Sequence, residues 1–139
     1  MRLARSFGRI TLSMGVAIMT LMAVVMYVFS PALMSVMSPD VSVCCLTVDI
    51  LRIEALVEPM FAASIICYGI FVGAGDTTVP CTMNLASIWG VRIVLAALLS
   101  GSYGLQGVWI AMAIELTFRG VIFLIRFHSD RWMKGKKIV

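Results

Sequence analysis

Charged side chains stand inside the long apolar runs of this sequence, among them Glu58, Arg92, Glu115 and Arg119. At one depth of an apolar environment, a carboxylate and a guanidinium can relay an ion or a proton, line a polar cavity, or simply hold two helices together. The role that applies depends on the elements that position these side chains.

Arg92 and Glu115 are predicted to form a pair. Arg92 lies about eight residues before the end of one apolar run and Glu115 about ten residues after the start of the next, so at ~1.5 Å per residue their depths agree within one turn. Arg119 follows Glu115 by one helical turn and can share its carboxylate. Because one carboxylate beside two guanidiniums stays ionised, a structural clamp is favoured over a relay or the wall of a substrate cavity.

Glu58 has no obvious basic partner in the sequence. Glu54 precedes it by four residues and would share its face of a helix. Two interpretations stay open for Glu58: an exposed carboxylate at the membrane interface, or a cavity group that titrates or attracts a cation.

The composition indicates an all-α integral membrane protein. Of the 139 residues, 61% are hydrophobic and only 13% are charged, against ~25% charged residues in a typical soluble domain. This length accommodates about four spans of ~20 residues. The four cysteines show no metal-ligand spacing, and no nucleophile, base and orienting group fall at one depth, so neither a metal site nor an enzyme is expected.

We expect spans at about 10–30, 55–73, 81–100 and 105–127, followed by a basic tail over 128–139. Pro31 is expected to end the first span, which is too long for the apolar region of a cleaved signal peptide. Pro59 is expected either to bend the second helix or to break it into two short helices. Gly69 and Gly73 offer a small-residue face for close helix contact.

A polar turn separates the second and third spans. Its glycines can end one helix, its Asp and Thr side chains can cap the next, and proline is tolerated in a first helical turn. A phosphate-binding loop is disfavoured because the characteristic lysine is missing. The residues of this turn are Gly73, Gly75, Asp76, Thr77 and Pro80.

Charge placement predicts the orientation. Four spans put both termini on one side, together with most of the arginines and lysines, whereas Asp40, Asp49 and Glu54 lie on the other side with Arg52. The positive-inside rule therefore places both termini and the turn at 73–80 in the cytoplasm. The basic tail is interpreted as a lipid headgroup anchor, and no nucleic acid is expected as a partner.

A series of motifs resembles the last four spans of the multidrug and toxic compound extrusion (MATE) family. The resemblance covers essentially the whole chain, and the order and spacing of the motifs carry it. They are Leu51-Arg52-Ile53, Glu58-Pro59, Gly73-Ala74-Gly75-Asp76-Thr77 with Pro80, Trp89 with Arg92, Gly107-Val108-Trp109-Ile110-Ala111-Met112-Ala113, Arg119, and Arg126-Phe127.

The resemblance implies a fold of twelve spans in two six-helix lobes around a central cavity. It also implies export of drugs and organic cations across the bacterial plasma membrane by alternating access, driven by entry of Na⁺ or H⁺ and with no other cofactor. Residues 1–139 would be spans nine to twelve, a partial C-terminal lobe in the lipid bilayer.

Two departures from the family pattern bear on these expectations. One branch of the family has a cation-binding acidic residue twelve positions before the first glycine of the turn, and Phe61 stands there in this sequence. The first lobe and two further spans do not precede Met1, so a fragment, a truncated reading frame or assembly with other chains is expected. The alternative is a small four-helix membrane protein, or a truncated relic, without transport activity of its own.

Overall fold

The described part of the chain is helical. The computed structural model describes residues 2–129; the basic tail predicted over 128–139 lies, from residue 130 onward, outside these residues. The helices are α1 (Arg2–Met37), α2 (Val41–Gly73), α3 (Thr78–Ser87), a π-helical segment (Ile88–Ile93), α4 (Val94–Tyr103) and α5 (Leu105–His128).

Four of these helical stretches are long and apolar enough to cross a membrane. Three are α1, α2 and α5, and the fourth is the third span, in which α3, the π-helical segment and α4 run on from Thr78 to Tyr103. The predicted class, an all-α membrane protein with four transmembrane helices, is confirmed.

Helix α1 is longer than the span predicted at about 10–30, and the prediction that Pro31 ends it is wrong. The helix continues through Pro31 to Met37. Proline has no N–H for the carbonyl of Tyr27, four residues earlier. The buried hydroxyl of Ser30 donates to that carbonyl at 3.0 Å, so the bond that proline removes is replaced within the same turn.

Helix α2 is one helix with Pro59 inside it, so the alternative of two short helices broken there is wrong. It begins fourteen residues before the span predicted at about 55–73. Asp40 caps its first turn: Oδ1 accepts the backbone N–H of Ser42 at 3.0 Å and its hydroxyl at 2.7 Å. These bonds hold the pKa of the Asp40 carboxyl below its usual value.

Helices α2 and α5 form the centre of the structure. α1 packs on α2, α2 packs on α5, and α5 packs on the third span. Between α2 and α5 lies a core of Cys67, Phe71, Phe123 and Phe127, in which the rings of Phe71 and Phe123 stack with centroids 5.9 Å apart. α1 and the third span leave most of their apolar side chains exposed, as helices that face lipid do.

The close helix contacts lie at glycines other than those predicted. A Cβ on Gly69 or Gly73 would meet no atom within 4 Å, so these two residues form no helix interface with the described residues. A Cβ on Gly107 would instead collide with the backbone of Leu99, and one on Gly120 would lie 2.8 Å from the carbonyl oxygen of Met60. The backbones on either side of α5 therefore approach it closely.

We predict opposite outcomes for two glycine-to-alanine changes. Gly120→Ala forces α2 and α5 apart and lowers stability by about 1–3 kcal/mol, as overpacking does. Gly69→Ala, the matched control, faces open space and leaves stability unchanged or slightly higher. Thermal unfolding of the purified chain in detergent measures both. Equal melting temperatures for the two variants would contradict this packing.

Candidate functional site

A buried polar network joins α5 to α3. The hydroxyl of Ser87 donates to Oε1 of Glu115 at 2.8 Å, and Nε of Arg119 lies 3.3 Å from the same oxygen. Nη1 of Arg119 donates to Oδ1 of Asn84 at 2.5 Å. These four residues, Asn84, Ser87, Glu115 and Arg119, are called the Glu115 network below. It links two transmembrane helices at a depth where unpaired polar groups are costly.

Glu115 itself is fully buried and only partly satisfied. Its side chain is 0% exposed, and Oε2 has no hydrogen-bond partner among the described residues. Nε of Arg119 is within ion-pair distance of Oε1, but it does not have hydrogen-bond geometry. Arg119 therefore acts on Glu115 through charge, and Ser87 supplies the aligned hydrogen bond.

The structure does not bring Arg92 to Glu115. Nη2 of Arg92 donates instead to the sulfur of Met112 at 3.0 Å, one turn of α5 away from Glu115. Arg92 also lies within electrostatic reach of Glu54 on α2. Of the predicted triad, Glu115 and Arg119 are in contact and Arg92 belongs to different surroundings.

The register of the third span on α5 accounts for this difference: Leu99 lies beside Gly107, Arg92 beside Met112 and Ser87 beside Glu115, so Arg92 meets α5 one turn away from Glu115. The π-helical segment affects the direction of Arg92, because each N–H in a π-helix bonds five residues back and residues five apart lie closer to one face than in an α-helix. In a regular α-helix Ser87 and Arg92 would point about 140° apart, at ~100° per residue. With residues 88–93 in π-helical form, both side chains face α5.

Glu58 lies half-buried on α2, one turn after Glu54 and close enough to act on it electrostatically. With Arg92, these two carboxyl groups form a cluster between α2 and the third span. The two predicted roles of Glu58, as an interfacial carboxylate or as a group that attracts a cation, stay predictions.

The turn between α2 and α3 is tied to the end of α5. Gly75 has φ +83°, and Asp76 pairs with Arg126, whose guanidinium also lies 5.6 Å from the ring centroid of Phe71. Thr77 is the N-cap residue of α3 and makes no side-chain hydrogen bond there. The Asp76 side chain pairs with Arg126 of α5 instead of capping α3. The other turn residues lie as follows: Gly73 is exposed at the end of α2, and Pro80 is buried in the first turn of α3.

A pocket of about 120 Å³ opens beside the Glu115 network, between α2, α3 and α5. Arg119 and Asn84 form its polar wall, and Ser64 contributes a further hydroxyl. Its complete lining is Ser64, Ile65, Tyr68, Asn84, Arg119 and Phe123. Within residues 2–129, no three His, Cys, Asp or Glu side chains are grouped so as to hold a metal ion.

Sequence reasoning did not assign a role to Ser87 or Asn84. Both are polar residues in an otherwise apolar run, spaced three apart, and both face α5. Two polar side chains one helical turn apart on the same face are a sequence signal that could have identified Asn84 and Ser87 as residues of a helix interface. The π-helical segment that follows them carries no comparable signal in its sequence, Ile-Trp-Gly-Val-Arg-Ile.

The chain resembles known membrane transporters. The MatE family model matches residues 1–98. The chain is 30% identical over 123 residues to a "Probable multidrug resistance protein NorM" of Brucella suis, covering 84% of this chain and 26% of that protein. It is 26% identical over 124 residues to the "Uncharacterized transporter YisQ" of Bacillus subtilis, covering 88% of this chain and 27% of that protein.

A third similar protein is the "Probable multidrug resistance protein NorM" of Thermotoga maritima, 26% identical over 113 residues, with 80% of this chain and 24% of that protein covered. The chain thus spans about a quarter of the length of these relatives. No solved structure matches it significantly.

We predict that Arg119, and not Arg92, neutralises Glu115. Arg119→Gln leaves a buried carboxylate without its compensating charge, and we expect a loss of about 1–3 kcal/mol. Arg92→Gln, the matched control, removes the contact to the Met112 thioether and a longer-range interaction with Glu54, and we expect it to cost less than ~1 kcal/mol. Thermal unfolding in detergent compares the two variants. A larger loss for Arg92→Gln would show that the predicted Arg92–Glu115 pair is the real one.

Proposed function

This chain belongs to the MatE family, the multidrug and toxic compound extrusion transporters, and on that basis we propose that it forms part of a multidrug efflux transporter. The transporter exports drugs or organic cations from the bacterial cell in exchange for Na⁺ or H⁺. The chain contributes four helices, corresponding to spans nine to twelve, to one of two lobes. The remaining helices come from the rest of the transporter or from other chains, since the relatives are about four times as long.

The observation that carries this proposal is the convergence of polar groups between α2 and the third span. Asn84 and Arg119 line the pocket there. Glu54 on α2 and Arg92 on the third span act on each other farther along the same two elements. Lipid does not solvate such groups, so we infer that the surface formed by α2 and the third span at these residues faces a water-containing cavity or other protein. A substrate cavity between two lobes meets that requirement.

The Glu115 network has a mechanical role in this proposal. Alternating access needs bundles that move as units about a substrate site. The buried link between Ser87 and Glu115, with the close backbone approach at Gly107, ties the third span to α5. These helices therefore move together when the cavity opens to either side. No residue of this chain is assigned to the coupling cation, and Phe61 leaves the family position without a carboxylate.

The proposed orientation places both termini in the cytoplasm. Gly8 near the start of α1 lies beside Phe127 at the end of α5 and Ile70 at the end of α2, so these ends share one side. Arg5, Arg9 and Arg126 belong to that side, whereas Asp40 begins α2 on the other. The positive-inside rule supports a cytoplasmic location for the arginine-rich side.

Transport is tested with a chimera of this chain and spans one to eight of the Brucella suis relative. A bacterial strain without its own drug exporters receives the chimera, this chain alone, or the complete relative as the positive control. Ethidium, an organic cation, is the exported dye. We expect export from the chimera and from the relative, and none from the chain alone.

Two controls interpret the result. Antibody detection in membranes shows that each protein is inserted, and collapse of the Na⁺ or H⁺ gradient identifies the coupling ion. An inserted chimera that exports none of several drugs and dyes, beside an active relative, would contradict the proposed function. Export by the chain alone would instead contradict the assignment as part of a lobe.

A further inference from the structure

Two adjacent cysteines line one pocket at the proposed outer end of α1 and α2. Cys44 and Cys45 are the fourth and fifth residues of α2, and the pocket of about 410 Å³ lies between them and the end of α1. Its complete lining is Pro31, Ser35, Cys44, Cys45, Val48 and Asp49. An ion that enters this pocket can therefore meet both thiols.

The two thiols cannot be joined to each other while the helix is intact. Cys44 and Cys45 are both free and both helical. Neighbouring Cα atoms are ~3.8 Å apart, which is below the ~4.4–6.8 Å that a disulfide requires. The pair therefore stays available as two thiols side by side.

The thiol of Cys44 is directed toward α1. Its Sγ lies 3.4 Å from the carbonyl oxygen of Met34 and 3.3 Å from that of Ser38. A thiol has one proton and is a weak donor, so it makes at most one weak bond here at a time. Little binding energy is lost when that proton leaves. Cys44 is half-buried, and Cys45 beside it is exposed.

The charge that faces this pocket is negative. Asp49 lies one turn after Cys45 and lines the same pocket, where its carboxylate attracts cations. Arg52 does not line the pocket, and its guanidinium lies 5.3 Å from the ring centroid of Tyr27 on α1. A cation therefore approaches the thiols beside a carboxylate and away from this guanidinium.

The ligand set selects a soft ion. Thiolates prefer soft metal ions, and two of them balance the charge of one divalent cation. Zn²⁺ requires more protein ligands, and within residues 2–129 no three His, Cys, Asp or Glu side chains are grouped to supply them. The spacing of the cysteines argues against such a three- or four-ligand site, whereas two adjacent cysteines are sufficient for a two-ligand site.

From these features we propose that Cys44 and Cys45 bind a soft divalent cation of the Hg²⁺ class as a two-coordinate bis-thiolate. The ion displaces one proton from each thiol, two S–H bonds are replaced by two sulfur–metal bonds, and both protons pass to water. No electron is transferred. The site is separate from the Glu115 network and does not depend on the proposed function.

The test is binding of Hg²⁺ to the purified full chain in nanodiscs of uncharged lipid. Cys67→Ala and Cys81→Ser are introduced first, so that only the adjacent pair remains. Equilibrium dialysis against 2-mercaptoethanol as a competing thiol measures the affinity and the number of ions per chain. We expect one ion per chain, bound at least about tenfold more tightly than by Cys44→Ser or Cys45→Ser, because the second thiol of one chain acts at a high effective concentration.

Two matched variants locate the site in the pocket. Ser35→Leu places a larger side chain in the pocket from α1 and leaves both thiols on α2, so we expect it to weaken binding about tenfold. Ser13→Leu makes the same change at an exposed serine of α1 outside the pocket and should leave the affinity unchanged. Thermal unfolding checks that each variant is folded.

The outcomes decide the proposal whatever the export assay shows. Equal affinity of the pair and the single-cysteine variants, two ions per chain, or full affinity in Ser35→Leu would overturn it. Dimers of the chain that form only with Hg²⁺, detected by size-exclusion chromatography in detergent, would show that the ion joins two chains and would also overturn it. Zn²⁺ binding as tight as that of Hg²⁺ would contradict the assignment to a soft, two-coordinate ion.

Discussion

The carboxylate of Glu115 lies fully buried in the middle of a membrane helix, and much of the structure depends on satisfying it. A charge in hydrocarbon must be paired or neutralised, and its surroundings must supply donors that lipid cannot. Arg119 supplies the charge from the next turn of α5, and Ser87 supplies a hydroxyl from the third span. Because Ser87 lies on another helix, satisfying one carboxylate also fixes how two spans pack.

The surrounding backbone permits that contact. Gly107 lets α5 approach the backbone of Leu99, and Gly120 lets it approach Met60 on its other side. The π-helical segment then turns Arg92 toward α5 as well. In the proposed transporter these contacts tie α5 to the third span, so we expect the two to move as one unit.

The sequence was sufficient to predict an all-helical membrane protein, because its apolar runs are long enough to cross a bilayer and a chain in lipid must satisfy its backbone groups internally, as helices do. The sequence was also sufficient to predict the contact between Glu115 and Arg119, since residues four apart lie on the same face of an α-helix. It failed where a local event changed the geometry. Ser30 replaces the bond lost at Pro31, so α1 continues. The register of the third span on α5 places Arg92 beside Met112, one turn from Glu115, and counting residues from the ends of the apolar runs does not fix that register to within one turn.

The most direct measurement is a double-mutant cycle across the helix interface, with Ser87→Ala, Glu115→Ala and both changes together. Unfolding free energies in detergent should reveal a coupling between the two positions of about 0.5–3 kcal/mol, because the residues share a buried hydrogen bond. The same cycle with Arg92→Gln in place of Ser87→Ala should show almost none. Zero coupling for Ser87, or a larger coupling for Arg92, would contradict the conclusion that the Glu115 network joins α5 to the third span.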